Sequence, residues 1–256
     1  MLHTENGLKY LTLGDGPEAV ICHPSLGLGR FLYYRIIPPL SRHYQVISYD
    51  PRGVGDNARL EPGLDAWVND VGDLLTIADR PCHLLGVSLG TWVMSRAALR
   101  WPDRVGRVVL MGTTPGFSGG LELVEARRQE LLNQSMAEFA LGYAESTLTP
   151  AADPEVKQQL AADLAMQEVE SYLKAMREIY LVDNSEIFSQ LEAETLLIVG
   201  TKDNRTTPEM ADRAARLIPR GTVCAVPDAG HLALLDQPGR VQTLVETFLA
   251  TGGIGD

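Results

Sequence analysis

The chain has 256 residues and a formal net charge of −11, with 45% hydrophobic and 21% charged residues. This length suits one domain with a large core, or a core that carries an insertion. The acidity argues against nucleic acid as a partner, because binding it requires clustered Lys and Arg beyond short pairs such as Arg127-Arg128. No segment approaches the roughly 20 apolar residues of a membrane span, so no membrane partner is expected either.

The N-terminus and the cysteines bear on location. The opening MLHTENGLKY has no basic stretch followed by an apolar run, so it does not read as a secretory signal. Cys22, Cys82 and Cys224 each lie in or beside an apolar run predicted to be a buried strand. Reduced core thiols in a cytoplasmic protein are therefore predicted, with a secreted protein that lacks disulfides as the alternative.

Apolar runs and helix-length stretches alternate along most of the chain. Buried strands are predicted at 19–22, 45–49, 83–87, 107–111, 195–200 and 222–226. Stretches of helical length occur at 31–42, 65–79, 90–101, 207–218 and 238–250. This alternation predicts a mainly parallel sheet covered by helices on both faces. Segments 8–14 and 19–22 are candidates for an antiparallel edge.

The alternation stops between residues 117 and 191. Helical periodicity there predicts four helices, with breaks near Ser135, at 149–154 and between Glu168 and Ser171. We expect residues 117–191 to form an all-helical cap over one end of the sheet, and residues 1–116 and 192–256 to form the core domain. The alternative is a plain run of surface helices.

A serine lies between two glycines at GVSLG, between a predicted strand and a predicted helix. Gly86 and Gly90 leave room for a tight strand-to-helix turn that exposes the hydroxyl of Ser88, and the helix N-terminus favours a developing oxyanion. The pattern indicates a nucleophile. The competing interpretation is a serine that caps a helix after a glycine turn.

A reactive serine needs a base and an acid that orients the base, in the order serine, acid, histidine for this motif. Of five histidines only His231 follows Ser88, in a loop after a predicted strand. Seven aspartates lie between them, and Asp203 is favoured because it also follows a predicted strand. Asp228 is so close to the histidine that we expect it to shape the turn.

Four segments, GVSLG, GTKDNRTTP, DAGHLALLDQP and SYDPRGVGDN, together resemble the α/β-hydrolase superfamily. The resemblance covers roughly residues 8 to 250. It implies a mainly parallel sheet flanked by helices with an all-helical cap insertion, and a cofactor-free, metal-free triad of Ser88, Asp203 and His231. A serine nucleophile differs from the aspartate of haloalkane dehalogenases and epoxide hydrolases. Asp50, Arg52 and Gly53 are interpreted as structural, with Asn57 where the family usually has serine.

The oxyanion loop departs from the usual family pattern, since it reads CHPSLGLGRFLYY. One register makes Ser25 the backbone donor, and the other makes it Leu26. The SLG segment resembles that of 3-oxoadipate enol-lactonases, which favours Leu26, and the Leu89 N–H is the second donor. Aromatic side chains that could line a pocket are Tyr33, Trp92, Phe117, Phe139, Tyr143, Tyr172 and Tyr180, with a purely structural core role as the alternative.

The predicted function is a serine hydrolase that cleaves a carboxylic ester or lactone of a small acyl substrate through an acyl-enzyme. C–C bond hydrolases of the β-diketone or meta-cleavage type, thioesterases and proline iminopeptidases share the triad and stay open. So do an acyltransferase or lyase, and a binding protein on the same fold. The expected partners are a small acyl molecule and, for assembly, a second copy in a homodimer.

Overall fold

An eight-stranded sheet forms the centre of the computed structural model, which describes residues 1–255. The strands are β1 (Leu2–His3), β2 (Lys9–Leu13), β3 (Ala19–His23), β4 (Gln45–Tyr49), β5 (Cys82–Val87), β6 (Val105–Met111), β7 (Glu194–Gly200) and β8 (Gly221–Val226). Their spatial order is β1-β2-β4-β3-β5-β6-β7-β8. The β1–β2 and β2–β4 pairs are antiparallel and every other pair is parallel, so the mainly parallel sheet predicted from the sequence is confirmed.

The helices fill the intervals between the strands and flank the sheet. They are α1 (Ile37–Leu40), α2 (Leu64–Ala78), α3 (Leu89–Arg100), α4 (Gly120–Asn133), α5 (Met136–Thr147), α6 (Pro154–Ala165), α7 (Val169–Tyr180), α8 (Ser185–Ser189), α9 (Pro208–Leu217), α10 (Ala233–Asp236) and α11 (Pro238–Thr251). One helix prediction is wrong: residues 31–42 form a 3-10 turn and the four-residue α1. Pro38 and Pro39 have no N–H for an earlier carbonyl, so one continuous helix cannot pass through them.

The central strands are apolar because both faces of the sheet are covered. Every residue of β3 and of β5 is buried, as expected for parallel strands between helical layers. β3 pairs with β4 and β5 in the middle of the sheet, so the suggestion that residues 19–22 form an antiparallel edge is wrong. Only β2, from the other candidate segment, joins the parallel part in antiparallel fashion.

The edge strand β8 differs from its prediction as a buried strand. Thr222 and Ala225 are exposed and Cys224 is half-buried, because β8 pairs with β7 on one side only. Cys22 and Cys82 are buried as expected, and all three cysteines are free thiols.

The segment between β6 and β7 is helical throughout its regular structure, as the sequence predicts, but in the described chain it contains five helices and not four, since the short α8 follows α7. Ser135 caps α5 through a reciprocal capping box with Glu138, and Asp153 caps α6 by accepting from the Glu155 N–H. A hydrogen bond joins the insertion to the loop after β3: the Asp163 carboxylate of α6 accepts from the Gly29 N–H at 2.8 Å. The division into a core and a cap domain at residues 117 and 191 stays a prediction.

His23 at the end of β3 makes stability depend on pH. Its ring is fully buried, edge-on to Tyr49 and Trp67, and burial lowers the pKa of His23 to about 4. Between the unfolded pKa of about 6.5 and this value the unfolded chain binds the proton and the folded chain does not. The free energy of unfolding should therefore fall by about 2–3 kcal/mol through this group between pH 7 and pH 4.5.

Denaturant titrations of the wild type and His23→Asn at both pH values check this expectation. The asparagine amide replaces the ring Nδ1 that lies 3.0 Å from the Pro24 carbonyl oxygen, but it does not titrate. The variant should lose less stability on acidification than the wild type. An equal loss in both proteins would contradict the assignment to His23.

Candidate active site

Five chain segments meet at the carboxyl edge of the parallel strands. The segments follow β3, β5, β6, β7 and β8 and bring Leu26, Ser88, Gly112, Asp203 and His231 to one place. Parallel strands end at the same edge, so residues separated by more than 200 positions become neighbours there.

Ser88 lies on a strained turn between β5 and α3. Its φ of 52° and ψ of −113° are unusual for a residue with a side chain, and its N–H donates to the Met111 carbonyl at 2.8 Å. A Cβ on Gly86 would lie 2.4 Å from the Gly90 carbonyl oxygen, so this turn requires glycine there. The side chain of Ser88 makes no capping hydrogen bond to α3, which argues against the helix-cap interpretation.

His231 is hydrogen-bonded to Asp203. Its Nδ1 lies 2.9 Å from Asp203 Oδ2, and both side chains are almost fully buried. When Nδ1 donates this bond, Nε2 is left as the acceptor, which is the tautomer a general base needs. Asp228, the other candidate acid, takes a φ of 53° in an exposed turn and donates its N–H to Thr201 Oγ1 instead.

Thr206 completes this arrangement and was missed by the sequence analysis. Its hydroxyl donates to Asp203 Oδ2 at 2.7 Å and lies 3.1 Å from His231 Nδ1. The N–H groups of Arg205 and Thr206 donate to Asp203 Oδ1 at 2.8 and 3.0 Å. A carboxylate followed two and three residues later by backbone donors is an Asx-type turn, so the spacing was a signal that could have identified Thr206.

The carboxyl of Asp203 is kept ionised by these contacts. Burial alone would raise its pKa, but the hydrogen bond and charge of His231 and the donors of Thr206 outweigh burial, so the pKa of Asp203 lies below its ordinary value. An anion at this position holds the imidazole ring in one orientation.

Backbone contacts fix His231 from two further sides. Its N–H donates to the Thr147 carbonyl at the end of α5, at 3.0 Å. Gly112 has a φ of 66°, and a Cβ there would lie 3.1 Å from His231 Cε1. The glycine therefore lets the chain after β6 pass close to the ring.

A cavity opens between this edge of the sheet and the helical insertion. Ser88 and His231 both line it, as do residues from α4, α5 and α7. Within residues 1–255 no hydrogen bond joins the Ser88 hydroxyl to His231, although both residues line the cavity.

The predicted pocket aromatics divide into two groups. Those that line the cavity are Trp92, Phe117, Tyr143, Tyr172 and Tyr180. Tyr33 does not: its ring is fully buried, and its hydroxyl donates to the carbonyls of His23 and Leu85, so it belongs to the core. Phe139 lies one layer behind the wall, against Tyr143 and Tyr172. The structure does not support pocket roles for these two.

The predicted oxyanion donors lie at the same cavity as the predicted nucleophile. Ser25, Leu26 and Leu89 line the same cavity as Ser88. Leu89 is the first residue of α3, where an N–H has no partner inside the helix. Within the described chain the Ser25 and Leu26 N–H groups form no hydrogen bonds, so both registers predicted from the sequence stay open.

Two arginines in the cavity wall were not predicted as site residues. Arg127 comes from α4 and Arg205 from the loop after β7. Arg205 lies inside the segment GTKDNRTTP that contains Asp203, which was a usable signal. Arg127 lies on a helix whose polar face resembles any solvated surface, and nothing in its sequence context marks it.

Two further observations concern metals and membranes. Residues 1–255 contain no grouping of three or more His, Cys, Asp or Glu side chains suited to holding a metal ion. None of the helices in the same part of the chain is both long and apolar enough to span a bilayer.

The structure combines a mainly parallel sheet, a serine at a strained strand-to-helix turn and a His–Asp pair at the same edge of the sheet. This combination is typical of the α/β-hydrolase class of enzymes. The profile of the Alpha/beta hydrolase family matches residues 19–242. The chain belongs to this family, and the resemblance and fold class inferred from the sequence are confirmed.

Individual relatives agree with the family assignment. The chain is 27% identical over 252 residues to an (E)-2-((N-methylformamido)methylene)succinate hydrolase of Acinetobacter baylyi, covering 94% of each protein. It is 28% identical over 249 residues to a carboxylesterase of Bacillus subtilis, covering 93% of this chain and 82% of that protein. The solved enol-lactonase of Burkholderia xenovorans has the same fold, with a TM-score of 0.88, 22% identity and coverage of 96% and 98%. These relatives support a hydrolase.

Proposed function

We propose that this protein is a cofactor-free serine hydrolase that cleaves a carboxylic ester or lactone of a small acyl substrate. The observation that carries the proposal is the shared cavity of Ser88, on its strained turn, and His231, hydrogen-bonded to buried Asp203. A lone serine at a turn has no base, whereas this one has a base and an acid that orients the base.

The proposed reaction has two halves. Ser88 Oγ attacks the substrate carbonyl while His231 Nε2 accepts its proton, and the N–H groups of Leu26, with Ser25 as the alternative, and Leu89 stabilise the oxyanion. The proton then passes from His231 to the leaving oxygen as the acyl-enzyme forms. Water, deprotonated by His231, attacks the acyl-enzyme and releases the acid and Ser88.

The relatives support an ester or lactone as the bond that is cleaved. A carboxylesterase is among the similar sequences and an enol-lactonase is among the similar folds. The helical insertion contributes a wall of the cavity, and we propose that residues 117–191 act as a cap that excludes water from the acyl group. A cytoplasmic location and a homodimer stay predictions from the sequence.

Labelling with a fluorophosphonate probe tests the proposed nucleophile. We expect wild-type protein to be modified on one residue, Ser88, and Ser88→Ala to remain unlabelled, because only a serine with an adjacent base reacts rapidly at neutral pH. Peptide mapping by mass spectrometry identifies the modified residue. Absence of labelling, or labelling at another serine, would overturn the proposal.

The bond is then identified with purified protein and a panel of lactones, aryl esters, thioesters and β-diketones. We expect turnover of the oxygen esters or lactones to exceed turnover of the other classes. Preferential turnover of diketones or thioesters would assign the same triad to those reactions.

A further inference from the structure

Within residues 1–255, two arginines and no carboxylate are among the residues that line the cavity. Arg127 and Arg205 line it, and none of its lining residues within positions 1–255 is Asp or Glu. The chain as a whole has 33 acidic and 22 basic residues, so two arginines and no carboxylate in one cavity run against the overall balance.

Each of the two guanidinium groups stacks on one of two neighbouring aromatic rings. Arg205 stacks over Tyr143 at 4.8 Å from the ring centroid, and Arg127 stacks over Phe139 at 4.5 Å. The Tyr143 and Phe139 rings are themselves neighbours, with centroids 6.1 Å apart. Stacking on aromatic faces fixes the orientation of each planar fork.

The hydrogen-bonding capacity of these arginines is only partly used. Arg205 forms no ion pair within residues 1–255, and its one side-chain hydrogen bond goes to the Ser146 hydroxyl at 2.9 Å. Arg127 pairs with the exposed Glu130 one turn further along α4. The Nε atoms of both arginines are buried and lack hydrogen-bond partners in the described chain, and an unpaired buried donor is costly.

The tyrosines beside the two arginines carry no negative charge that could pair with them. Burial raises the pKa of Tyr172 and of Tyr180, so both hydroxyls are neutral at physiological pH. A guanidinium that faces such a wall gains most from a ligand carboxylate, which accepts two parallel N–H bonds.

We propose that Arg205, assisted by Arg127, binds a carboxylate of the substrate, and that the substrate is a small carboxylate-bearing ester or lactone. This inference rests on the proposed function, because it names the substrate class of the same site. Arg205 is two residues from Asp203 in one loop, so the same loop would orient His231 and anchor the anionic end of the substrate.

Three phenyl-type esters test the proposal. Phenyl hydrogen adipate carries a carboxylate on its acyl chain, 4-carboxyphenyl hexanoate carries one on its leaving group, and phenyl hexanoate is the neutral reference. We expect a higher kcat/KM for at least one carboxylated ester than for the reference. In Arg205→Met this preference should fall about 10- to 100-fold, mainly through KM, since a charge-assisted hydrogen bond is lost.

Matched variants separate the binding role from a structural one. Arg128→Met removes the exposed neighbour of Arg127 on the same helix, outside the cavity, and should keep the preference. Arg205→Lys retains a point charge and should regain part of it. Arg127→Met should lower it less than Arg205→Met does, and it provides a second measurement if Arg205→Met folds poorly by circular dichroism.

The outcomes distinguish this inference from the proposed function. If Ser88 is labelled and the esters are cleaved, but the wild type has no preference or Arg205→Met and Arg127→Met both retain it, the carboxylate anchor is overturned and the hydrolase stands. If no ester is cleaved and Ser88 is not labelled, the proposed function itself fails.

Discussion

Replacing Ser88 with alanine is expected to lower kcat/KM for the preferred ester or lactone by about 10⁴-fold or more. The variant keeps the turn and the oxyanion donors but loses the only atom that can form the acyl-enzyme. Since alanine and serine face the same backbone restriction at a φ of 52°, we expect the free energy of unfolding to stay within about 1 kcal/mol of the wild type.

Steady-state kinetics and denaturant titration of the same preparation measure both quantities. Ser95→Ala is the matched control, because Ser95 lies on the same helix but outside the cavity. Its hydroxyl donates to the Trp92 carbonyl and accepts from the Asn184 amide. This control should lose about 1–3 kcal/mol of stability, since it leaves a buried donor without its acceptor, and retain activity within a few-fold. A Ser88→Ala variant with more than a tenth of wild-type activity would rule out Ser88 as the nucleophile.

The second large effect is expected from Gly90→Ala, at the start of α3. A Cβ at this position would lie 2.3 Å from the His23 carbonyl oxygen and 2.7 Å from that of Pro24. Both obstacles are backbone atoms, so the helix and the oxyanion loop must move apart. We expect the free energy of unfolding to fall by about 3 kcal/mol or more, and the Tm to fall by about 6–12 °C.

Gly142→Ala makes the same substitution where space is open. Gly142 is exposed in the middle of α5, and no atom lies within 4 Å of a Cβ built there. Alanine should raise the free energy of unfolding by about 0.5–1 kcal/mol, because it restricts the unfolded chain and favours the helix. Thermal unfolding of both variants is the measurement. A Gly90→Ala protein as stable as the wild type would show that the close approach is not required.

Gly90→Ala should also reduce activity more than its stability loss explains. The carbonyls that its Cβ would meet precede Ser25 and Leu26, the two candidate oxyanion donors. Moving that loop by a few tenths of an ångström misplaces a donor that is typically worth about 3 kcal/mol in the transition state. Kinetics at a temperature well below the Tm of the variant separate this effect from unfolding.

Several features of this protein were determined by the sequence alone. Continuous apolar runs predicted β3 through β7 because a strand covered on both faces has to be apolar along its whole length. Ser88, Asp203 and His231 could be selected because each follows a predicted strand, and the ends of parallel strands share an edge. Local spacing also located the insertion, since helical periodicity without any predicted strand replaces the alternation of strands and helices between residues 117 and 191.

Contacts made in three dimensions decided the rest. Tyr33 and Phe139 are aromatic, as pocket residues often are, yet both are buried away from the cavity. Their burial depends on how the 3-10 turn before α1 and helix α5 pack against the rest of the protein, which no local sequence pattern records. The half-exposed β8 reads as a core strand because its apolar content does not reveal that it lies at an edge. Residues 31–42 do not form one helix because Pro38 and Pro39 interrupt it. These prolines were a local signal, but the prediction relied on the length of the interval instead.

The pairing of the two arginines in the cavity wall depended on tertiary structure. Arg127 and Arg205 are 78 positions apart, and only Arg205 lies in a segment that the sequence marks, the one that contains Asp203. They share a wall because both stack on aromatic side chains of α5, Arg127 on Phe139 and Arg205 on Tyr143, and these two rings are neighbours. The sequence by itself determined the fold class and the candidate triad, through strand order and local turns. Only the packing of the insertion decided what surrounds Ser88, because those contacts join residues distant in the chain.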